Sequence, residues 1–157
     1  MIKPYLKSAG KMPKTEKPKR KKKSSTQKLR SECDRLYQEL GHKMYSTCFC
    51  GKEISCLHHS HPKSTSSGLR YEIKNGVPIC AGCHVQHHAK NDPDIQAEMI
   101  LFMKEKWGEN WEIELRQQRQ ILMGIKTDKE WYLTHKEMLE EMIETYKDYI
   151  SIKEDNF

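Results

Sequence analysis

The sequence has no apolar run that approaches the roughly 18–20 residues needed to cross a bilayer. Its N-terminus also lacks the apolar core of a secretory signal, so we expect a cytoplasmic protein without a membrane partner. Hydrophobic residues make up only 36% of the 157 residues, and charged residues make up 32%. A chain of this length suits one compact domain with tails. Its core should be small, and a bound metal ion could stabilise it.

Positive charge is concentrated at one end of the chain. Residues 1–25 have a net charge of +9 and residues 26–157 a net charge of −3, which together give +6. The tail is rich in Lys, Pro and Ser without apolar periodicity, so we expect it to be disordered when free. It suits a phosphate-binding arm as well as a solubility or targeting tail. The candidate DNA contacts in it are Lys19, Arg20, Lys21, Lys22 and Lys23.

Six cysteines occur without an export signal, which argues against disulfide bonds. Four of them form a Cys-x-Cys pair, Cys48 and Cys50, and a Cys-x-x-Cys pair, Cys80 and Cys83. Two such pairs predict a tetrahedral site for structural Zn²⁺. The first pair is tighter than usual, and Cys56 is an alternative ligand to Cys48.

Helical spacing dominates both flanks of this region and predicts an α+β protein. An amphipathic helix is expected over 26–44, with Gly41 just past its last apolar turn and Cys33 as a buried thiol. The stretches 53–59 and 76–80 are short enough to be paired strands. A helical extension over 93–157 has three segments, the last opened by a capping box at Thr127. Residues 109–157 are net acidic and should face away from DNA. The apolar positions assigned to the last two segments are Trp111, Leu115, Ile121, Leu122, Trp131, Met138, Met142 and Tyr146.

Histidines crowd the region between the cysteine pairs and just after them. The stretch "CLHHSHPKS" contains His58, His59 and His61. Further on, His84 and His88 are four residues apart, so a helix would put them on one face, where they can bind one ion. Adjacent strand residues point to opposite faces, which would separate His58 from His59.

The combined order of "HHSHPKS", "YEIKNGVPIC" and "AGCHVQHH" over residues 48–88 resembles the HNH nucleases. The resemblance implies a small ββα-metal, treble-clef-like core over 45–92 and hydrolysis of DNA phosphodiester bonds. His59 would be the general base, and Asn75 would hold the loop and orient that base. His58, His84 and His88 would bind a catalytic ion, either Mg²⁺ or another divalent ion such as Mn²⁺, Ni²⁺ or Zn²⁺.

Two more positions have weaker assignments. Lys63 and Arg70 are candidates for contacting phosphate. His61 and His87 match no position of the HNH pattern, and His87 could replace His88 if the helix phase differs.

The whole layout is also similar to phage recombination endonucleases of the NinG/Rap type, which share a Lys-rich start and a segment like "KWGENWEIELRQQ". That similarity implies branched or recombining DNA as substrate and a phage or prophage setting, with the protein acting in a bacterial host cell. As partners we expect duplex or branched DNA, with the protein a monomer or a homodimer. The alternatives are a zinc-stabilised nucleic-acid-binding protein without catalysis and a structural zinc module that docks a partner protein through its acidic helices. Neither alternative needs His59, His84 and His88 together.

Overall fold

A computed structural model of the chain describes the backbone of residues 24–154 and the side chains of residues 24–146. This part is a mixed α+β structure with five helices and one two-stranded sheet. The basic tail and its five candidate DNA contacts lie outside the described residues, apart from Ser24 and Ser25. In chain order the elements are α1 (Ser25–Met44), β1 (Cys56–His59), β2 (Gly76–Ile79), α2 (Ala81–Val85), α3 (Pro93–Trp107), α4 (Trp111–Ile121) and α5 (Lys129–Glu154).

The sheet is an antiparallel pair, with β1 followed after a long loop by β2 and then directly by α2. His58 is opposite Val77 and His59 is opposite Gly76. The first strand is shorter than the predicted stretch 53–59. It begins at Cys56, and Glu53 forms only an isolated bridge with Thr47. Helix α2 continues into a single π turn, Gln86–Lys90, and ends at Asn91 with a left-handed φ of 48°.

Helix α1 begins with a capping box between Ser24 and Gln27. The Ser24 side chain accepts from the Gln27 backbone N–H, and the Gln27 side chain accepts from the Ser24 backbone N–H. The expectation that Gly41 follows the last apolar turn is wrong, since the helix runs on to Met44 with Gly41 buried inside it. The reason is packing: a Cβ on Gly41 would overlap the side chain of Leu57, so glycine lets β1 approach the helix closely.

Helix α5 packs against α1 and completes the first of two core clusters. Its buried stripe is Tyr132, Leu139 and Ile143, whereas the predicted Met138 is 37% exposed. The predicted face thus lies at the margin of the buried stripe, where Trp131 and Met142 are partly buried against the same cluster. The cap is also one residue later than predicted, because Asp128 accepts from the Trp131 backbone N–H.

Helices α3 and α4 form the second core cluster beneath the sheet and the cysteines. Trp111 and Leu115 are buried as predicted, but Ile121 is 81% exposed because it is the last residue of α4. None of the helices in the described residues is both long and apolar enough to cross a membrane. The two clusters meet at the sheet. Core side chains therefore pack against both faces of the sheet and fix the positions of the strand residues.

Candidate metal centres and cleft

Four cysteines converge at the start of α2. Cys48 and Cys50 lie in a tight turn after α1, which Gly51 closes with a left-handed φ of 81°. Cys80 caps α2 and Cys83 lies in its first turn. The four sulfur atoms are all within 4.8 Å of one another, so they could hold a metal such as zinc.

The structure groups Cys48, and not Cys56, with the other three cysteines. Cys56 lies on β1 with its Sγ 3.8 Å from Nδ1 of His84. Hydrogen bonding at α2 favours a thiolate in the cluster: the Cys83 N–H donates to Sγ of Cys80 at 3.4 Å and lowers the pKa of Cys80 to about 7. The thiolate is the form that binds metals.

Three histidines form a second convergent group on the other side of α2. One nitrogen from each of His58, His84 and His88 lies within 4.8 Å of the other two. The ring of His58 is 5.4 Å from His84 and 5.0 Å from His88, between centroids. His58 comes from β1, and the i, i+4 pair comes from α2 and its π turn. Among the side chains of residues 24–146, no carboxylate belongs to this group.

His87 flanks the three histidines without joining them. Its ring is 4.7 Å from His58 and 5.0 Å from His88, but its nitrogens lie outside the convergent group. Its Nδ1 is buried without a hydrogen-bond partner among the described residues. The arrangement thus groups His88, rather than His87, with His58 and His84.

The surroundings of His58 and His84 favour neutral imidazoles. Burial, together with the neighbouring imidazoles of His87, His88 and His84, lowers the pKa of His58 to about 3. Burial is likewise the main cause of the lowered pKa of His84. A neutral imidazole offers a nitrogen lone pair to a cation without a proton to displace.

His59 is the next residue on β1 and points to the opposite face of the strand, where it is 8% exposed beside the ring of Tyr37. Its Nε2 lies 2.8 Å from the backbone oxygen of Arg70. A carbonyl oxygen only accepts, so Nε2 carries the proton and Nδ1 keeps a free lone pair. Burial lowers the pKa of His59 to about 4, which favours this neutral form.

Both kinds of histidine reach one open cleft of about 550 Å³. The cleft thus combines an imidazole with a free lone pair and a group of three convergent imidazoles. Its lining residues are Gln38, Cys56, Leu57, His58, His59, Ser60, Pro62, Lys63, His84, His87 and His88.

Asn75 fixes the loop that follows β1. It is fully buried, and its side chain accepts from the His61 N–H at 2.7 Å. Its amide also donates to the backbone oxygens of His61 and Leu69, at 3.2 and 3.0 Å. The Ser60 N–H donates to the Asn75 backbone oxygen at 2.9 Å. One side chain therefore ties the start and the middle of the loop to the residue that directly precedes β2.

Arg70 does not lie where a phosphate contact requires it. Its guanidinium is buried and makes two hydrogen bonds to Asp34 of α1, at 2.8 and 2.7 Å. Tyr71 adds a third contact to the same carboxylate at 3.1 Å. Burial alone would raise the pKa of Asp34, but the hydrogen bonds and charge of Arg70 hold it below its ordinary value. The prediction that Arg70 binds phosphate disagrees with this arrangement, since its charge is paired inside the fold.

Lys63, in contrast, lines the cleft and is half-buried. Burial lowers the pKa of its ammonium group, with the charges of Asp34 and Arg70 acting in opposite directions. Of the two predicted phosphate contacts, only Lys63 faces the space beside the histidines.

Two residues of the site were not anticipated from the sequence. Gln38 of α1 bonds both backbone groups of Leu57, accepting from its N–H at 2.7 Å and donating to its oxygen at 3.1 Å. Asp34, one turn earlier, accepts hydrogen bonds from the Arg70 guanidinium. It thereby helps to fix the backbone carbonyl of Arg70, which is bonded to His59. Both are polar residues on a helix, and nothing in their spacing distinguishes them from solvent-facing positions.

Comparison of the chain with protein-family models, with curated proteins and with solved structures finds no match.

Proposed function

We propose that this protein is a metal-dependent DNA endonuclease with an HNH-type, ββα-metal site. One observation carries the proposal: an imidazole with a free Nδ1 and a group of three convergent imidazoles line the same cleft, with His59 and His58 on opposite faces of one strand. Hydrolysis of a phosphodiester needs a base that activates water and an electrophile at the phosphate.

The histidine group suits a cation that prefers nitrogen. Imidazole is a good ligand for Zn²⁺, Ni²⁺ and similar ions, whereas Mg²⁺ prefers carboxylate, carbonyl and water oxygens. Since the three convergent ligands are all imidazoles, Zn²⁺ or Ni²⁺ fits the predicted site better than Mg²⁺ or Mn²⁺, which prefer oxygen ligands. When bound, such an ion would stabilise the negative charge that develops at the scissile phosphate. His58, His84 and His88 would hold it.

The chain's own groups perform the remaining tasks. His59 accepts a proton from water at Nδ1, while its Nε2–H remains bonded to the Arg70 carbonyl and fixes the ring. Asn75 keeps the loop closed, and the Asp34–Arg70 pair keeps the carbonyl in place. Lys63 contacts a phosphate oxygen from the wall of the cleft.

The setting is proposed on the sequence layout. The Lys-rich start and the resemblance to phage recombination endonucleases support duplex or branched DNA as substrate. The four-cysteine cluster by itself supports the second candidate equally well, a zinc-stabilised DNA-binding protein without catalysis. His59 distinguishes the two, because a binding protein has no use for a base in the cleft.

The decisive test is His59→Ala in the full chain, assayed by plasmid nicking with Mg²⁺, Mn²⁺, Ni²⁺ or Zn²⁺ in turn. We expect the nicking rate to fall by roughly 10²–10⁴-fold, the usual contribution of a general base. His61→Ala is the matched control, because His61 belongs to the same loop but its side chain is not part of the cleft lining. It should retain the wild-type rate. Equal nicking by the two variants would refute His59 as the base, and no nicking by the wild-type protein would favour the non-catalytic candidate.

A further inference from the structure

Cys56 lies beside the histidine group but belongs neither to it nor to the cysteine cluster. It precedes His58 by two residues on β1, and the alternating burial along the strand puts the two side chains on the same face. His84 of α2 lies against that face, with its Nδ1 3.8 Å from Sγ of Cys56. The thiol is half-buried and lines the cleft. It is thus in direct contact with one of the three proposed ion ligands.

Both sides of this contact are anchored by backbone hydrogen bonds. Cys56 is part of the ladder between β1 and β2, and Gln38 of α1 bonds both backbone groups of Leu57, the next residue. On the other side, the His84 N–H donates to the Cys80 oxygen at 2.9 Å. The contact between the sulfur and the imidazole therefore joins two elements whose positions are already fixed.

His84 differs from the other two members of the histidine group, because its ring has a hydrogen-bond partner. Among the side chains of residues 24–146, Sγ of Cys56 is the partner of His84, whereas the rings of His58 and His88 have none. A histidine that binds a metal through one nitrogen usually donates the N–H of its other nitrogen to a neighbouring acceptor, which fixes the tautomer and orients the ring. A cysteine sulfur is a weak acceptor for such a bond.

We propose that Cys56 is a positioning residue of the ion site, whose sulfur accepts a hydrogen bond from Nδ1–H of His84. With the proton on Nδ1, the lone pair of Nε2 is the one that His84 offers to the ion. A bound cation draws electron density from the ring and makes Nδ1–H a stronger donor, so the bond to sulfur is strongest in the ion-bound state. The contact thus raises the affinity for the ion. The inference rests on the proposed function, since it takes the three histidines to be ligands.

The test measures ion affinity without DNA. In the full chain, the cysteine cluster is filled with Zn²⁺, and Co²⁺ is then titrated into the histidine site and followed by its visible absorption. Cys56→Ala should weaken Co²⁺ binding by roughly 10-fold, the lower end of the loss caused by removing the partner of a ligating histidine, since sulfur is a weak acceptor. Cys56→Ser keeps an acceptor at this position and should bind Co²⁺ more tightly than Cys56→Ala.

Cys33→Ala is the matched control, because it removes a thiol that donates to the backbone oxygen of Tyr132 instead of contacting the ion site. It should bind Co²⁺ as the wild type does. Equal affinities for the wild type and Cys56→Ala would overturn the proposal. Equal losses in Cys56→Ala and Cys56→Ser would overturn it too, because they would indicate a packing defect. A sulfur-to-cobalt charge-transfer band that Cys56→Ser lacks would make the sulfur a direct ligand and likewise refute the positioning role.

The nicking assay is decided separately. If the wild type binds no second ion, the metal-dependent nuclease and the role of Cys56 are both refuted. If Co²⁺ affinity depends on Cys56 but DNA is never nicked, the positioning role stands without the nuclease. If nicking depends on His59 and the Co²⁺ affinities are equal, the nuclease stands without this role for Cys56.

Discussion

The cysteine cluster and the histidine cleft share helix α2 but differ in what holds them together. Three of the four cysteines are buried, and apart from Cys80, whose Sγ accepts from the Cys83 N–H, their sulfur atoms have few partners besides one another. The histidine cleft is open, and protein contacts fix its geometry, with Asn75 closing the loop and Asp34 holding Arg70. From this difference we expect that folding depends on a metal ion at the cysteine cluster, whereas the histidine group keeps its geometry before any ion binds.

The largest expected effect is on the cysteine side. Cys80→Ser should abolish the cooperative fold, because structural zinc contributes roughly 10 kcal/mol or more to small domains and total stability is about 5–15 kcal/mol. Circular dichroism melting and zinc content per chain measure this. Cys56→Ser is the control, as this thiol lies outside the cluster. If Cys80→Ser melts cooperatively at the same temperature as the wild type, the cysteine cluster does not stabilise the fold.

The second largest effect is expected for the ion pair between Asp34 and Arg70, which supports His59, the proposed base. Asp34→Asn leaves the guanidinium of Arg70 buried without its charge partner, and breaking a buried pair costs roughly 3–5 kcal/mol. Because the Asp34 side chain is 33% exposed, we expect the free energy of unfolding to fall by less, about 2 kcal/mol. Urea denaturation measures it. Glu39→Gln, which breaks the exposed pair with Arg35, should cost under about 0.5 kcal/mol.

The pair also predicts a pH dependence. The pKa of Asp34 is below its ordinary value, so its stabilising contribution is present above about pH 4 and is lost as the pH falls through the lowered value. The stability difference between the wild type and Asp34→Asn should shrink over that acid range, since asparagine does not titrate. A difference that stays constant down to acid unfolding would contradict the ion pair.

The smallest effect on stability is expected in the histidine cleft, where the effect on ion binding is large. His88 is exposed, so His88→Ala should change the free energy of unfolding by no more than about 0.5 kcal/mol. Calorimetric titration with Zn²⁺ should find two ions per wild-type chain and one in this variant. His61→Ala should still bind two. Two ions bound by His88→Ala would exclude it as a ligand and reopen the case for His87.

The separation of the two sites was predictable because each depends on local spacing. The Cys-x-x-Cys pair and the i, i+4 histidines belong to one short helix, and helical geometry alone directs them to a common face each. Paired strands and helical flanks followed from periodicity in the same way. The predicted face of α5 lies at the margin of the buried stripe because Trp131 and Tyr132, and Met138 and Leu139, are adjacent apolar residues, and only the packing against α1 decides which of each pair is fully buried.

Other features depend on partners far apart in sequence. The sequence suggested Arg70 as a phosphate contact. In the fold, the carboxylate of Asp34, thirty-six residues away, pairs with its guanidinium instead. Gly68 is another case, since the loop packs so closely on the end of α4 that a Cβ there would lie 2.7 Å from Cβ of Leu122.

The sequence by itself determined which residues could bind ions and roughly which elements carry them, because ligand chemistry and local helix and strand geometry are properties of short segments. Only the tertiary structure decided which charges are paired and which imidazole has a free nitrogen. Those properties depend on burial and on long-range partners, and residue type alone does not specify either.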